Sequence, residues 1–339
     1  MKLGPIPAPR ATPGRTDLKL EERRTPLIPG QPNRFTDTGF QFLMLACGLS
    51  LLGIVGLIVF ELIDKSHQSL HQFGWRFFTG TNWDPVAGEF GALPFIYGTV
   101  VSSLLALVIA VPLSVGTAVF TTEMCPKPLR NPISFLTELL AAIPSVVYGL
   151  WAIFVLAPLL RNYVEPFLAT YFGWTGLFSG PPFGIGMLAA GVILAVMIVP
   201  IISSIAREVL AAVPSTQREA ALALGATRWE MIRMGVLRNA RAGIVGAIIL
   251  GLGRALGETM TVTMVIGNRP EIARSLFAPG YTMASVIANE FTEATDELYV
   301  SALVHIALGL FLVTIVVNAL AQLLVWTVTR GSPVRARAE

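Results

Sequence analysis

The sequence predicts an all-α integral membrane protein with six transmembrane helices, and three observations carry that expectation. Of its 339 residues, 54% are hydrophobic and only 13% are charged, about half the charged share of an ordinary soluble domain. The apolar residues fall into six runs, each near or above the roughly 20 residues a bilayer-spanning helix needs. Lys and Arg crowd into alternate loops between those runs. A soluble enzyme, an unstructured tail protein and a secreted disulfide scaffold are all excluded, since the polar sequence left over could not solvate so much apolar surface. Cys47 sits in an apolar run and Cys125 in a short polar loop, so no structural disulfide is expected.

The runs cover about 39–62, 93–121, 133–160, 184–206, 241–267 and 300–328. The second, third and fourth contain Pro112, Pro144 and Pro200. Neighbouring helices can satisfy the backbone groups that an interior proline frees, so bends are expected there. Residues 1–38 are Pro-rich and basic without an apolar run, and read as a disordered basic cytoplasmic tail. The first apolar run is of full span length and reads as an uncleaved anchor. Residues 39–330 form the transmembrane domain, and 331–339 a short cytoplasmic tail.

Orientation follows from the basic residues. The tail before the first run holds Lys2, Arg10, Arg15, Lys19, Arg23, Arg24 and Arg34. Lys127, Arg130, Arg207, Arg218, Arg228, Arg233, Arg238, Arg241, Arg330, Arg335 and Arg337 fall on the same side. The opposite loops hold only Lys65, Arg76, Arg161, Arg269 and Arg274. The positive-inside rule places both termini in the cytoplasm.

Several chemistries lack their residues. A P-loop needs Lys after Gly and before Ser or Thr. The four lysines are Lys2, Lys19, Lys65 and Lys127, and none follows Gly. His67 and His71 share a helical face, but no Cys or carboxylate pattern completes a metal set. No nucleophile, base and orienter stand together. His305 reads as a packed residue, and Glu138 as an interfacial partner of a basic loop residue.

The loop at about 207–240 carries more information. It reads REVLAAVPSTQREAALALGATRWEMIRMGVLRNA, two short helical stretches flanking Gly225. Ser215 or Thr216 is expected to cap the first. Gly225 is expected to end it in the left-handed conformation. Glu219, Ala220, Ala221 and Gly225 stand in a pattern that resembles the EAA loop of ABC importer permeases. The resemblance implies a coupling helix that docks on an ATPase subunit. The family's usual Leu-Pro is here Leu237-Arg238.

The fifth run contains Arg254 and Glu258 at i, i+4, where they can pair. Ala247 and Gly251 follow on the same helical stripe, and Gly253 and Gly257 form a G-x-x-x-G on an adjacent face suited to close packing. Charges in a bilayer are costly unless paired or facing a wet cavity. One reading is a buried bridge that fixes helix register. The other is an anion contact: guanidinium holds two oxygens of a tetrahedral oxyanion at once. Glu258 would neutralise Arg254 in the empty path and could accept a hydrogen bond from hydrogen phosphate. Sulfate carries no proton to donate. Ser145 and Tyr148, beside Pro144, either line the path or pack within the bundle.

Three further segments sharpen the family. RALGETM (Arg254 to Met260), IPSVVYG (Ile143 to Gly149) and FFTGTNWDP (Phe77 to Pro85) resemble the PstC-type permeases of phosphate-specific ABC importers. The resemblance implies a type I ABC importer permease fold in the bacterial plasma (inner) membrane. It implies that Arg254 and Glu258 take part in phosphate passage. It also implies a second permease (PstA type), an ATPase dimer (PstB type) holding ATP and Mg2+, and an extracytoplasmic phosphate-binding protein (PstS type). No cofactor on this chain, no metal and no nucleic acid are expected. A permease for sulfate or molybdate stays open as an alternative. An ion-coupled secondary transporter is less favoured, because no internal repeat is visible. A membrane enzyme or receptor lacks both catalytic constellation and sensory domain.

Overall fold

The computed structural model describes residues 34–330; the tail readings up to 33 and after 330 lie outside the described residues, while 34–38, expected in the disordered tail, are already helical. Two compact units divide at Gly56. The first holds the start of α1 (Arg34–Lys65), whose side chains from 38 to 56 are exposed. That suits a helix surrounded by lipid.

The second unit begins at Leu57. After the end of α1 come α2 (His67–Phe73), α3 (Arg76–Thr79) and a hairpin of β1 (Trp83–Asp84) and β2 (Glu89–Phe90). Four long apolar helices follow: α4 (Leu93–Met124), then α6 (Ser145–Thr175), α7 (Met187–Ala211) and α9 (Arg228–Leu256). Between them lie α5 (Lys127–Ala141) and α8 (Ser215–Ala223). After α9 come α10 (Met260–Val265), α11 (Met283–Glu290) and the last span, α12 (Glu297–Arg330). Counting the apolar part of α1, six helices among the described residues can cross a membrane.

The bundle is organised around α7, the most deeply buried span, with α4 and α9 against it. On α4 the buried residues Ser102, Ala106, Ala110, Ser114 and Ala118 recur every four residues. Lipid tails give helices no hydrophobic reason to associate, so close van der Waals contact along small residues has to hold them. Gly191 of α7 allows such contact, since a Cβ there would lie 2.4 Å from Leu105. The Ser114 hydroxyl donates to the Val199 carbonyl across the helix pair at 3.2 Å.

The three prolines fall into two settings. α4 and α7 run on without interruption through Pro112 and Pro200. Pro144 instead stands at the N-cap of α6, after a break at Ala142 and Ile143. The third span therefore starts at Ser145 and not near 133. The stretch expected to open it is a separate amphipathic helix, α5, with no buried residue. Inside α6, Pro158 and Pro166 each sit just after a π-helical turn ends, at 152–156 and 160–164. The wider turn relieves the clash between the proline ring and the preceding turn. The fifth span also ends early, at Leu256.

The FFTGTNWDP segment builds a cap on one end of the bundle. Phe77, Trp83, Phe90, Phe95, Tyr281 and Leu303 form one buried cluster. Glu290 joins it, accepting from Trp83 Nε1 at 2.9 Å and from the Tyr299 hydroxyl at 2.7 Å. Asp84 Oδ1 accepts from the Val86 and Ala87 amides and closes the hairpin turn. Burial pushes the Tyr281 phenol well above its ordinary range, so it stays neutral and accepts from Asn289 Nδ2 at 3.0 Å.

Gly98 marks where α4 meets the loop before α11. A Cβ there would stand 2.0 Å from the Tyr281 carbonyl oxygen, a backbone atom that cannot rotate away. Gly98→Ala should destabilise the protein by about 1–3 kcal/mol, seen as a lowered Tm of the purified complex. Gly116→Ala, where nothing lies within 4 Å, should leave Tm unchanged or slightly raised.

Candidate functional site

Two helix breaks meet at the candidate substrate site. α9 stops at Leu256, Gly257 to Thr259 are non-helical, and α10 resumes at Met260. Arg254 and Glu258 thus flank the end of a helix and do not share an unbroken one. They still pair, Nη2 to Oε2 at 3.3 Å. Their environments differ sharply: the Arg254 side chain is 50% exposed and that of Glu258 is 5% exposed. Glu258 Oε1 faces the Thr261 amide at 3.5 Å and the Thr261 hydroxyl at 3.3 Å. All these contacts are longer than the 2.7–2.9 Å of a strong charge-assisted bond. The carboxylate is held by burial, while the guanidinium reaches open space and can take a second anionic partner.

The α5–α6 break comes to the same place. The Thr261 hydroxyl donates to the Ser145 carbonyl at 2.8 Å. Gly149 lets α10 approach α6, since a Cβ there would lie 2.4 Å from Met264 Sδ and 3.4 Å from Thr261 Cα. RALGETM and IPSVVYG, more than a hundred residues apart, are therefore neighbours. Tyr148 is buried, and its hydroxyl donates to the Leu140 carbonyl at 2.7 Å, closing the end of α5. Ser145 is half-buried, and its carbonyl serves the site's architecture.

The expected stripe divides. Ala247 and Gly251 are buried, and Gly251 faces Ile202 of α7 where a Cβ would lie 2.6 Å away. They pack the bundle and do not continue the exposed face of Arg254. Gly253 meets nothing within 4 Å, and Gly257 only its own helix, so the G-x-x-x-G joins no helix among the described residues.

The loop near Gly225 forms a compact helical element. Pro214, and neither Ser215 nor Thr216, occupies the N-cap of α8, with no side-chain cap bond. Gly225 has φ +84°, and its amide donates to Leu222 while that of Ala226 reaches Ala221. This paired pattern ends a helix in the left-handed conformation that glycine adopts without strain. Thr227 and Glu230 then cap the next helix reciprocally. Glu219, Ala220 and Gly225 are exposed and Ala221 is half-buried. Leu224 stands 89% exposed. Ala220, Ala221, Leu224 and Gly225 border a groove of about 630 Å³ with Glu230 and Met234.

Residues that sequence reasoning passed over brace this element. Arg218 Nη2 pairs with Glu123 at 2.8 Å and also donates to the Leu210 carbonyl at 2.9 Å. Arg207 pairs with Glu138 at 2.8 Å, the basic partner expected for that glutamate. Buried Glu165 accepts the Gly184 amide through both oxygens, at 3.2 and 3.0 Å. His305 is packed as expected, stacked on Phe77 and 2.9 Å from the Ser69 hydroxyl. No group of side chains that could hold a metal ion occurs among the described residues.

A profile described as "binding-protein-dependent transport system inner membrane component" matches residues 110–326. A Mesorhizobium japonicum protein named phosphate transport system permease protein PstC is 49% identical over 85% of this chain and 89% of its own length. A Xylella fastidiosa protein of the same name is 43% identical over 96% of this chain and 97% of its own. The fold is shared with a chain of a bacterial ABC transporter involved in the import of the polysaccharide alginate. That match has TM-score 0.58 and 16% identity, over 87% of this chain and 99% of that one. The fold is that of a multi-pass inner membrane permease. The chain belongs to the family of binding-protein-dependent transport system inner membrane components, within its PstC-type permeases.

The brace between Arg218 and Glu123 gives a first test. Glu123 is 7% exposed, so Arg218→Met would leave a buried carboxylate without its cation. A loss of about 2 kcal/mol is expected, read as a lowered Tm of the complex. Adding Glu123→Gln should recover much of it.

Proposed function

We infer that this chain is a transmembrane permease subunit of an ATP-driven importer of inorganic phosphate and forms half of its translocation path. The observation that carries the substrate assignment is the half-exposed Arg254 beside the buried Glu258 at a helix break, in a chain whose relatives are named phosphate transport permeases. Those names favour phosphate over sulfate or molybdate.

In the empty path Glu258 neutralises Arg254. An arriving phosphate takes two donors of the guanidinium fork, which stays charged at any physiological pH. The monohydrogen form can then give its proton as a hydrogen bond to Glu258. Sulfate has none at neutral pH and meets only repulsion. Binding energy is therefore tied to the protonation pattern of the anion, a source of discrimination that size alone cannot provide.

Energy would come from a PstB-type ATPase dimer holding ATP and Mg2+. It would dock on the element around Glu219, Ala220, Ala221 and Gly225. A PstA-type permease would complete the path, and a PstS-type binding protein would deliver phosphate. By the positive-inside rule α8 and both termini would face the cytoplasm, where such an ATPase would meet the exposed Leu224 and its groove. Closure of the dimer would move α8, and the braces from Arg218 to Glu123 and from Arg207 to Glu138 would carry that motion to α4, α5 and α7.

Two experiments test this reading in a reconstituted complex supplied with binding protein and ATP. Gly225→Pro or Glu219→Lys should preserve membrane insertion but uncouple ATP hydrolysis from uptake, by breaking the turn or reversing a docking charge. Wild-type coupling in both variants would remove the docking role. Arg254→Gln should cut phosphate uptake at least about tenfold. The single change strands Glu258, so the decisive variant is Arg254→Gln with Glu258→Gln. Assembly with low uptake supports anion contact, whereas normal uptake by a well-assembled double variant reduces the pair to a structural bridge.

A further inference from the structure

Thr261 is buried and lies where the two broken helices meet. It sits in the first turn of α10, after the break at Gly257 to Thr259. Its amide and hydroxyl both face Glu258 Oε1. Its hydroxyl also reaches the Ser145 carbonyl in the first turn of α6. It thus touches the charged pair on one side and the helix after the other break on the opposite side.

A hydroxyl has one proton and two lone pairs. At 2.8 Å the Ser145 carbonyl takes that proton, and of the two Thr261 donors Glu258 keeps the more distant backbone amide at 3.5 Å. The same proton can turn to Glu258 Oε1, 3.3 Å away, but only by leaving Ser145. The carboxylate and α6 therefore compete for a single donor. Whatever changes the electron demand of Glu258, such as Arg254 engaging another anion, shifts that competition and loosens or tightens α6 on α10. Gly149 makes the contact close enough to matter, because any larger residue would wedge Met264 and Thr261 away from α6.

We propose that Thr261 is the positioning residue of the Arg254–Glu258 pair. Its hydroxyl sets the carboxylate relative to the guanidinium and links the state of the pair to the first turn of α6. The proposal rests on the phosphate-permease reading above. It makes Thr261 an intermediary acting through Glu258, with no contact to the anion required.

The test compares Thr261→Ser with Thr261→Ala, which differ only by the hydroxyl, in the full complex with binding protein, ATP and radiolabelled inorganic phosphate. Uptake and ATP hydrolysis are measured per assembled complex. The alanine variant should take up phosphate about tenfold more slowly, the order of one hydrogen bond to a charged group. It should also consume more ATP per phosphate moved. Serine restores the donor and should stay within about twofold of wild type. Equal uptake by the two variants, whether normal or impaired, overturns the proposal, since the hydroxyl would then be irrelevant. Failure of the alanine variant alone to assemble also overturns it, since the hydroxyl would then be a folding element. The wild-type complex separates this from the reading beneath it. If wild type moves no phosphate, the substrate assignment fails. If wild type transports and the alanine variant matches it, only the role of Thr261 fails.

Discussion

A helix that stops leaves its last carbonyls and first amides without intrahelical partners, and each must find another. This constraint shapes the protein between α5 and α10. The stop at Ala142 is closed by the Tyr148 hydroxyl on the Leu140 carbonyl. The restart at Met260 is steadied by Glu258, which faces the Thr261 amide. The Thr261 hydroxyl then joins the two repairs through Ser145. Residues that satisfy the backbone are also the ones that place the charged pair, so the breaks and the site form one construction.

The same economy appears at the other end of the working parts. α8 is held at its base by Arg218 on Glu123, which fixes the helix against the end of α4. Its outer surface, with Glu219, Ala220 and Leu224, is left exposed. Arg207 on Glu138 ties the end of α7 to α5. Because α7 packs on both α4 and α9, a push on α8 has a short, contiguous route to the helix that ends at the charged pair. Rigid helices joined by few specific contacts transmit displacement, whereas a loosely packed bundle would absorb it.

Much of this was legible in the sequence, and the omissions have physical reasons. Six long helices follow from apolar runs because a bilayer demands length and hydropathy and little else. Arg254 and Glu258 stood out because charge in an apolar run is costly. Hydropathy carries no information on where the backbone stops, so the fifth span was extended past Leu256. Gly257, directly after it, was the available signal. Pro144 was read as a bend, although proline disfavours helix in the residue before it and suits a helix start. Residues 133–141 of α5 fall within the expected third span because their leucines continue the apolar run. Its Lys127, Arg130 and Glu138 mark it as amphipathic. Thr261 was passed over because one threonine in an apolar stretch looks the same whether its hydroxyl serves its own helix or another.

The looseness of the charged pair is its most informative property. A structural bridge in a bundle is expected to be short, fully buried and satisfied on every oxygen, because anything less leaves desolvation uncompensated. Glu123 with Arg218 approaches that pattern, at 2.8 Å with further backbone acceptors for the guanidinium. Arg254 with Glu258 does not: the separation is 3.3 Å and half of the arginine side chain is exposed. The half-exposed arginine has room for a second partner, whereas leaving the 5%-exposed Glu258 without its cation is costly. In the path proposed above, an arriving anion would have to offset that cost, which a protonated oxyanion could do by donating to Glu258 while Arg254 holds its other oxygens. The buried Glu258 would stay in place and re-form the pair when the anion leaves, so the difference in burial between the two residues would make the pair exchangeable.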